Sequence, residues 1–234
     1  MNPHETIEIG ASLWWKMLSG TVTAISLLVL IGKKYPKARN GIRIISGWML
    51  VALSLALPMY LIYFGAWSIR TSLPLQLCGL SGILSGIVLL WRNQLAYELL
   101  LYWGIPGALY ALLTPELTQG SGTLFIIEYY ISHGGIIFSV LYLTLVYHLY
   151  PRKHSWLNVF LITQFLLLAV GLVDYFLDAN YMYLRDKPLV GNPFLIGDWP
   201  WYIFMLELAG FVHFYLLYLF FQSPKTHVQK QILK

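Results

Sequence analysis

Seven long apolar runs separated by short polar breaks organise this chain, at approximately Leu13–Ile31, Ile42–Ile62, Leu73–Leu90, Leu95–Leu113, Thr123–Tyr150, Trp156–Leu177 and Trp199–Phe221. Each is close to the roughly 20 residues that a helix needs to cross a hydrocarbon layer about 30 Å thick. The runs use most of the chain and leave one sizeable connection, Asp178–Asp198, so no separate soluble domain is expected. The pattern predicts an all-α protein, a single domain built as a polytopic membrane bundle of seven transmembrane helices. Glu5 and Glu8 precede the first run and a basic patch follows it. A cleaved signal peptide wants the opposite arrangement, so the first span is expected to be retained.

Composition sharpens this picture. Of 234 residues, 58% are hydrophobic and 11% charged, against roughly 25% charged in a soluble domain. A soluble fold, a disordered chain, a coiled coil and a nucleic-acid module are thereby excluded. The 9 Trp and 17 Tyr suit interfacial belts. The net charge of +5 matters through its distribution along the chain. Alternating the loops assigns Lys33, Lys34, Lys37, Arg39, Arg43, Arg92, Arg152, Lys153, Lys225, Lys230 and Lys234 to one side, and Lys16, Arg70, Arg185 and Lys187 to the other, 11 against 4. By the positive-inside rule the N-terminus lies outside and the C-terminus in the cytoplasm. The single cysteine, Cys78, forms no internal disulfide.

Ionisable groups inside a membrane are costly and mark functional or paired sites. On this topology Gln76 and Cys78 fall near the outer end of the third span, and Glu128 and His133 in the outer third of the fifth. Asp174 and Asp178 end the sixth, and Glu207 lies about eight residues, roughly 12 Å, into the seventh. Singly, each has an ordinary structural role: the cysteine as a small hydrophobe, the histidine bonded to nearby backbone or Tyr, an acid tying two helices together. Their shared depth on four helices is what points to chemistry.

Thr71 and Ser72 as caps and Pro74 in a first turn place the start of the third helix just before Cys78. The helix dipole there favours a thiolate and apolar burial opposes it. A neighbouring His133 would tip the balance, since a Cys–His pair activates the thiol and returns a proton to the leaving group. The small residues Gly79, Gly82, Ser85 and Gly86 form a stripe suited to close helix packing, and Gly134 and Gly135 thin the fifth helix beside His133. The connection holding Asn180, Tyr181, Arg185, Lys187 and Trp199–Tyr202 reads either as an aromatic belt or as a lid whose Arg185 and Lys187 meet a phosphate.

The segments LPLQLCG at Leu73–Gly79, EYYISHGG at Glu128–Gly135, and NYMYLRDKP at Asn180–Pro188 with WPWY at Trp199–Tyr202 resemble the bacterial YwaF-type integral membrane proteins. That family is similar to the eukaryotic transmembrane protein 164 acyltransferases, and the resemblance runs from the second span to the seventh. It implies a bacterial cytoplasmic-membrane protein in which a cysteine takes an acyl chain from a phospholipid and passes it to a lysophospholipid. Cys78 matches the cysteine and His133 the histidine, while Gln76 stands where the family often has another histidine.

The reading that results is a membrane-embedded acyltransferase, or an acyl hydrolase if water is the acceptor, with Cys78 as nucleophile and His133 as base and acid. Glu128, Asp174 or Glu207 would orient the imidazole, Gln76 or helix-start N–H groups would hold the oxyanion, and Asn180, Tyr181, Arg185 and Lys187 would bind substrate. Phospholipid and lysophospholipid are the partners; no cofactor, metal or nucleic acid is expected. The alternative is a seven-helix transporter or ion-binding protein working through the acids. A zinc hydrolase ranks last, because only His133 lies in the outer cluster and about three ligands are needed.

Overall fold

The computed structural model describes residues 5–117, 122–188 and 194–222; Lys225, Lys230 and Lys234 of the charge pattern lie outside them. Among the described residues seven apolar helices form, here α1 Ser12–Lys34, α2 Arg39–Tyr63, α3 Leu77–Trp91, α4 Gln94–Leu113, α5 Thr123–Tyr147, α6 Ser155–Leu177 and α7 Trp201–Phe221. Six are long and apolar enough to cross a membrane, and α3, at 15 residues, is the short one. An antiparallel pair of two-residue strands, β1 Glu5–Thr6 and β2 Glu116–Leu117, is an addition to the all-α expectation.

The helix ends follow local chemistry. Asn93 caps α4 by accepting the Ala96 N–H at 3.0 Å. Pro106 has no N–H and its ring crowds the carbonyl four residues back, and α4 accommodates it with a π turn over Leu100–Gly104, all of it buried. The fifth helix stops at Tyr147, three residues before the expected Tyr150, because His148 turns left-handed (φ 57°) with Pro151 close behind. The third begins at Leu77, four residues later than Leu73.

The chain divides into two compact units: Met1–Trp67 with Leu77–His148, and Ser68–Gln76 with Leu149–Lys234. In the first unit α1 to α5 alternate in direction. At one end the Arg43 guanidinium holds the last carbonyls of α3, Leu89 and Leu90, the latter at 2.8 Å. Tyr142 donates to the Arg39 carbonyl at 3.0 Å and Tyr147 to Asn40 Oδ1 at 2.8 Å. Arg92 lies 5.2 Å above the Tyr147 ring. At the other end the indole of Trp14 donates to the Leu113 carbonyl at 3.1 Å, over a core of Ile7, Trp14, Leu112, Leu117 and Tyr130. The start of α2 therefore meets the ends of α3 and α5, so α3 runs in the same sense as α1 and α5.

The small-residue stripe is a packing seam. A Cβ on Gly86 would sit 2.9 Å from the Gly47 carbonyl and 3.0 Å from the Val51 nitrogen, and one on Gly47 would be 3.3 Å from the Gly86 carbonyl. The glycines after His133 serve the same end: Gly134 faces Thr21 and Gly135 faces Leu50, each closer than a Cβ would allow.

In the second unit α6 and α7 pack side by side through Trp156, Phe160, Phe211 and Phe214. A smaller core of Val170, Ala179 and Tyr181 gathers Leu73 and Leu75 from the segment ahead of α3.

Candidate functional site

Cys78 occupies the first turn of α3, half-buried, where the opening N–H groups of a helix have no intrahelical acceptor. Its Sγ lies against α4: a Cβ placed on Gly107 would be 3.4 Å from the sulfur. One turn further along the same face of α4 is Ala111. Its carbonyl would ordinarily bond the N–H of residue 115, but that residue is proline, so the oxygen is left over. The Tyr129 hydroxyl takes it, donating at 3.0 Å.

Tyr129 also fixes His133 twice. The two rings lie 4.2 Å apart, centroid to centroid, and His133 Nδ1 is 2.8 Å from the Tyr129 carbonyl oxygen. A carbonyl only accepts, so in the neutral ring Nδ1 carries the proton and Nε2 the lone pair, the state a general base requires. Nε2 has no hydrogen-bond partner among the described residues. His213 makes the same bond to the Ala209 carbonyl one turn back, so the contact is a habit of helical histidine in this chain. The tyrosine stack distinguishes His133. Cys78 and the Tyr129–His133 pair thus approach adjacent turns of one face of α4, at the end of the first unit away from Arg43.

The expected carboxylate partners are distributed differently. Glu128 precedes His133 by five residues, which puts it about 140° around α5 from the imidazole; the group that orients the ring is the Tyr129 carbonyl. Glu207 accepts a hydrogen bond from the Gln164 amide, tying α7 to α6. Gln164 lies ten residues before Asp174 on α6, or roughly 15 Å, so Glu207 and Asp174 do not converge. Among the described residues no three His, Cys, Asp or Glu side chains gather as metal ligands would.

In the second unit the polar groups build the loop after α6. Asp174 is fully buried; its Oδ1 accepts the Tyr181 N–H at 2.8 Å and its Oδ2 has no partner among the described residues. Tyr181, 1% exposed, donates its hydroxyl to the Ile69 carbonyl at 2.8 Å and accepts from the Leu73 N–H at 3.0 Å. Gln76 Oε1 accepts the Met182 N–H at 2.9 Å. These bonds satisfy the turn Leu73–Gln76 outside a helix, which is why α3 starts at Leu77, and they pin the residues that run directly into Cys78. Met182 and Tyr183 are both left-handed (φ 53° and 56°), an unfavourable pairing for residues with side chains. Gln76 and the Tyr202 hydroxyl, which donates to the Tyr183 carbonyl at 2.7 Å, hold them there.

Asn180 works within the same loop, accepting from the Arg185 and Asp186 N–H groups at 3.0 and 3.2 Å. Lys187 pairs with Asp198 at 3.3 Å. Arg185 pairs with Asp178 at 2.8 Å, and Arg70 approaches the other oxygen at 3.6 Å; the two guanidiniums hold the Asp178 carboxyl below its usual range. Sequence reasoning missed Tyr129 and Gly107. The available signals were a tyrosine one turn before the histidine and a proline one turn after Ala111.

Comparison with curated proteins and with solved structures finds no match. The TMEM164 family model matches residues 9–218, a range that holds Cys78, Tyr129, His133 and the Tyr181 loop, and the chain belongs to the TMEM164 family.

Proposed function

We propose that this multi-pass membrane protein is a cysteine-dependent acyltransferase of the bacterial cytoplasmic membrane, with its N-terminus outside and seven crossings. It takes an acyl chain from a phospholipid and transfers it to a lysophospholipid, or to water. The observation that carries this reading is the common face of α4, where Cys78 meets Gly107 and the tyrosine stacked on His133 meets Ala111. The family resemblance at Leu73–Gly79 and Glu128–Gly135 points the same way.

In this mechanism His133 Nε2 takes the Cys78 proton while Nδ1–H stays on the Tyr129 carbonyl. The thiolate attacks the ester carbonyl carbon, and N–H groups opening α3 hold the oxyanion. Collapse breaks the carbon–oxygen bond, His133 protonates the departing lysolipid alkoxide, and a thioester remains on Cys78. The acceptor hydroxyl then gives its proton to His133 and attacks the thioester, which restores the thiol. Gln76 acts by position: its amide oxygen accepts the Met182 N–H and so holds the turn that leads into Cys78.

Detergent-purified protein incubated with a defined phospholipid is expected to gain a hydroxylamine-labile acyl mass that is absent in Cys78→Ala and His133→Ala. Unchanged lipid acyl exchange in Cys78→Ser overturns the reading. Ion or solute transport, the second reading, draws on one observation, the fully buried Asp174 with an unpartnered oxygen. It is favoured if Asp174→Asn abolishes proton-coupled uptake in vesicles while the cysteine variants leave it intact.

A further inference from the structure

A cleft of about 370 Å³ opens in the second unit between Gly171 and Tyr175 on α6 and Leu184, Arg185 and Trp199 in the following loop, within the size range of small-molecule sites. Its walls are apolar and aromatic, and one cation stands in them.

Arg185 is only partly engaged. Its bonds to Asp178, and the longer ones to the Ala179 and Asp174 carbonyls, all leave from Nη1. Nε and Nη2 have no partner among the described residues, and together they form the planar fork that grips phosphate with two parallel hydrogen bonds. The side chain is 46% exposed, so the fork is reachable.

The walls are pre-formed. Asn180 holds the Arg185 and Asp186 N–H groups, and the Trp199 indole donates to the Leu184 carbonyl at 3.1 Å. A site already in its bound shape gives up less entropy on binding. Its floor is a glycine that packing does not demand: a Cβ on Gly171 would meet Leu184 at 3.8 Å, an ordinary contact. Tyr175 and Trp199, 77% and 63% exposed, carry the aromatic surface seen at the headgroup level of membranes.

We propose that this cleft binds a phospholipid, its phosphodiester on the Nε–Nη2 fork of Arg185 and the first part of one acyl chain over Gly171 between Tyr175, Leu184 and Trp199. The site deepens the acyl-transfer reading by supplying its lipid, and it rests on that reading only for the use made of the lipid. Its test therefore reads binding and never turnover: loss of acyl transfer with lipid retained counts against the Cys78 mechanism and leaves the site standing.

The experiment is native mass spectrometry of delipidated full-length protein titrated with dioleoyl phosphatidylglycerol. Wild type is expected to retain one lipid tightly. Arg185→Gln should weaken retention about tenfold, the worth of a charge-assisted pair, and Gly171→Leu, which fills the floor, by at least as much. Gly210→Ala, on α7 outside the cleft and with nothing within 4 Å of its methyl, serves as the folding control and should bind within about twofold of wild type. Inorganic phosphate and glycerol phosphate form a separate arm. Displacement of the lipid by either at similar concentrations would assign the fork to a free phosphate and overturn the lipid assignment. Equal retention by wild type, Arg185→Gln and Gly171→Leu overturns the site altogether.

Discussion

Replacing Asp174 by asparagine and by alanine separates two roles for a carboxyl group that solvent does not reach. Asparagine keeps an oxygen for the Tyr181 N–H, whereas alanine leaves that buried donor unsatisfied, at a penalty of about 1–3 kcal/mol. Asp174→Ala is therefore expected to lower thermal stability clearly and Asp174→Asn to leave it near wild type, as scanning fluorimetry in detergent would show. Equal damage from both would mean that the charge itself matters and would favour the ion-binding reading. Tyr181→Phe removes a hydroxyl serving both Ile69 and Leu73. It should destabilise by a similar amount and also slow acylation of Cys78, because the turn it releases leads into the cysteine helix; normal acylation in a folded Tyr181→Phe protein would refute that link. Asp178 shows the opposite setting. Its carboxyl is held below the usual range by Arg185 and Arg70, so its ion pairs contribute above the ordinary carboxylate pKa of about 3.9 and are lost as pH falls through the lowered folded value. The pair is exposed and screened, so the expected reading is local: faster proteolysis of the loop at acid pH, with the pH dependence gone in Asp178→Asn.

Among the elements, the seam between α2 and α3 gives a graded test. A methyl on Gly86 meets backbone atoms of Gly47 and Val51 at 2.9 and 3.0 Å, which cannot rotate away, while one on Gly82 meets only the Ser54 hydroxyl at 3.7 Å. Gly86→Ala should thus destabilise by about 1–3 kcal/mol through overpacking and Gly82→Ala by much less; a reversed order in thermal unfolding would refute the seam. This stripe was legible in the sequence because small residues at helical spacing have one common use. The apolar runs were legible for the same reason, and six of the seven helices lie close to their expected bounds. The caps placed the start of α3 just before Cys78, and it lies at Leu77. That the apolar run from Leu73 stays outside the helix was not legible, because it depends on Tyr181 and Met182, more than a hundred residues away, reaching the Leu73–Gln76 turn. The π turn in α4 is a response to Pro106 that hydrophobic patterning does not register. Near Cys78 the sequence supplied the residue types and the helices that carry them. It could not supply partners: His133 is oriented by a neighbour's carbonyl rather than by Glu128, and Glu207 is matched to Gln164, since carbonyls carry no sequence signal and carboxylates attract attention wherever they fall.

For the whole chain the decisive quantity is the parity of crossings, and it turns on α3. Fifteen residues span roughly 22 Å, short of the hydrocarbon thickness, yet α3 runs antiparallel to α2, with its last carbonyls held by Arg43. If α3 crosses, the positive charges divide 11 to 4. If it does not, every later loop changes side: Lys33, Lys34, Lys37, Arg39 and Arg43 are joined by Arg185 and Lys187, the other side gathers the remaining residues, and the division becomes 7 to 8, which gives no bias at all. Seven crossings are thus expected, and the two topologies differ at an accessible place. In a Cys78→Ala background, Lys37→Cys and Lys153→Cys should both resist a membrane-impermeant maleimide in intact cells and react only after permeabilisation, while Lys187→Cys should react directly. Labelling of Lys153 from the outside, with Lys37 protected, would mean that α3 turns back within the membrane. That result would put the Lys187 loop on the cytoplasmic side, across the membrane from the turn at residues 69–76 that Tyr181 and Met182 hold, so it would overturn those hydrogen bonds together with the seven-crossing topology.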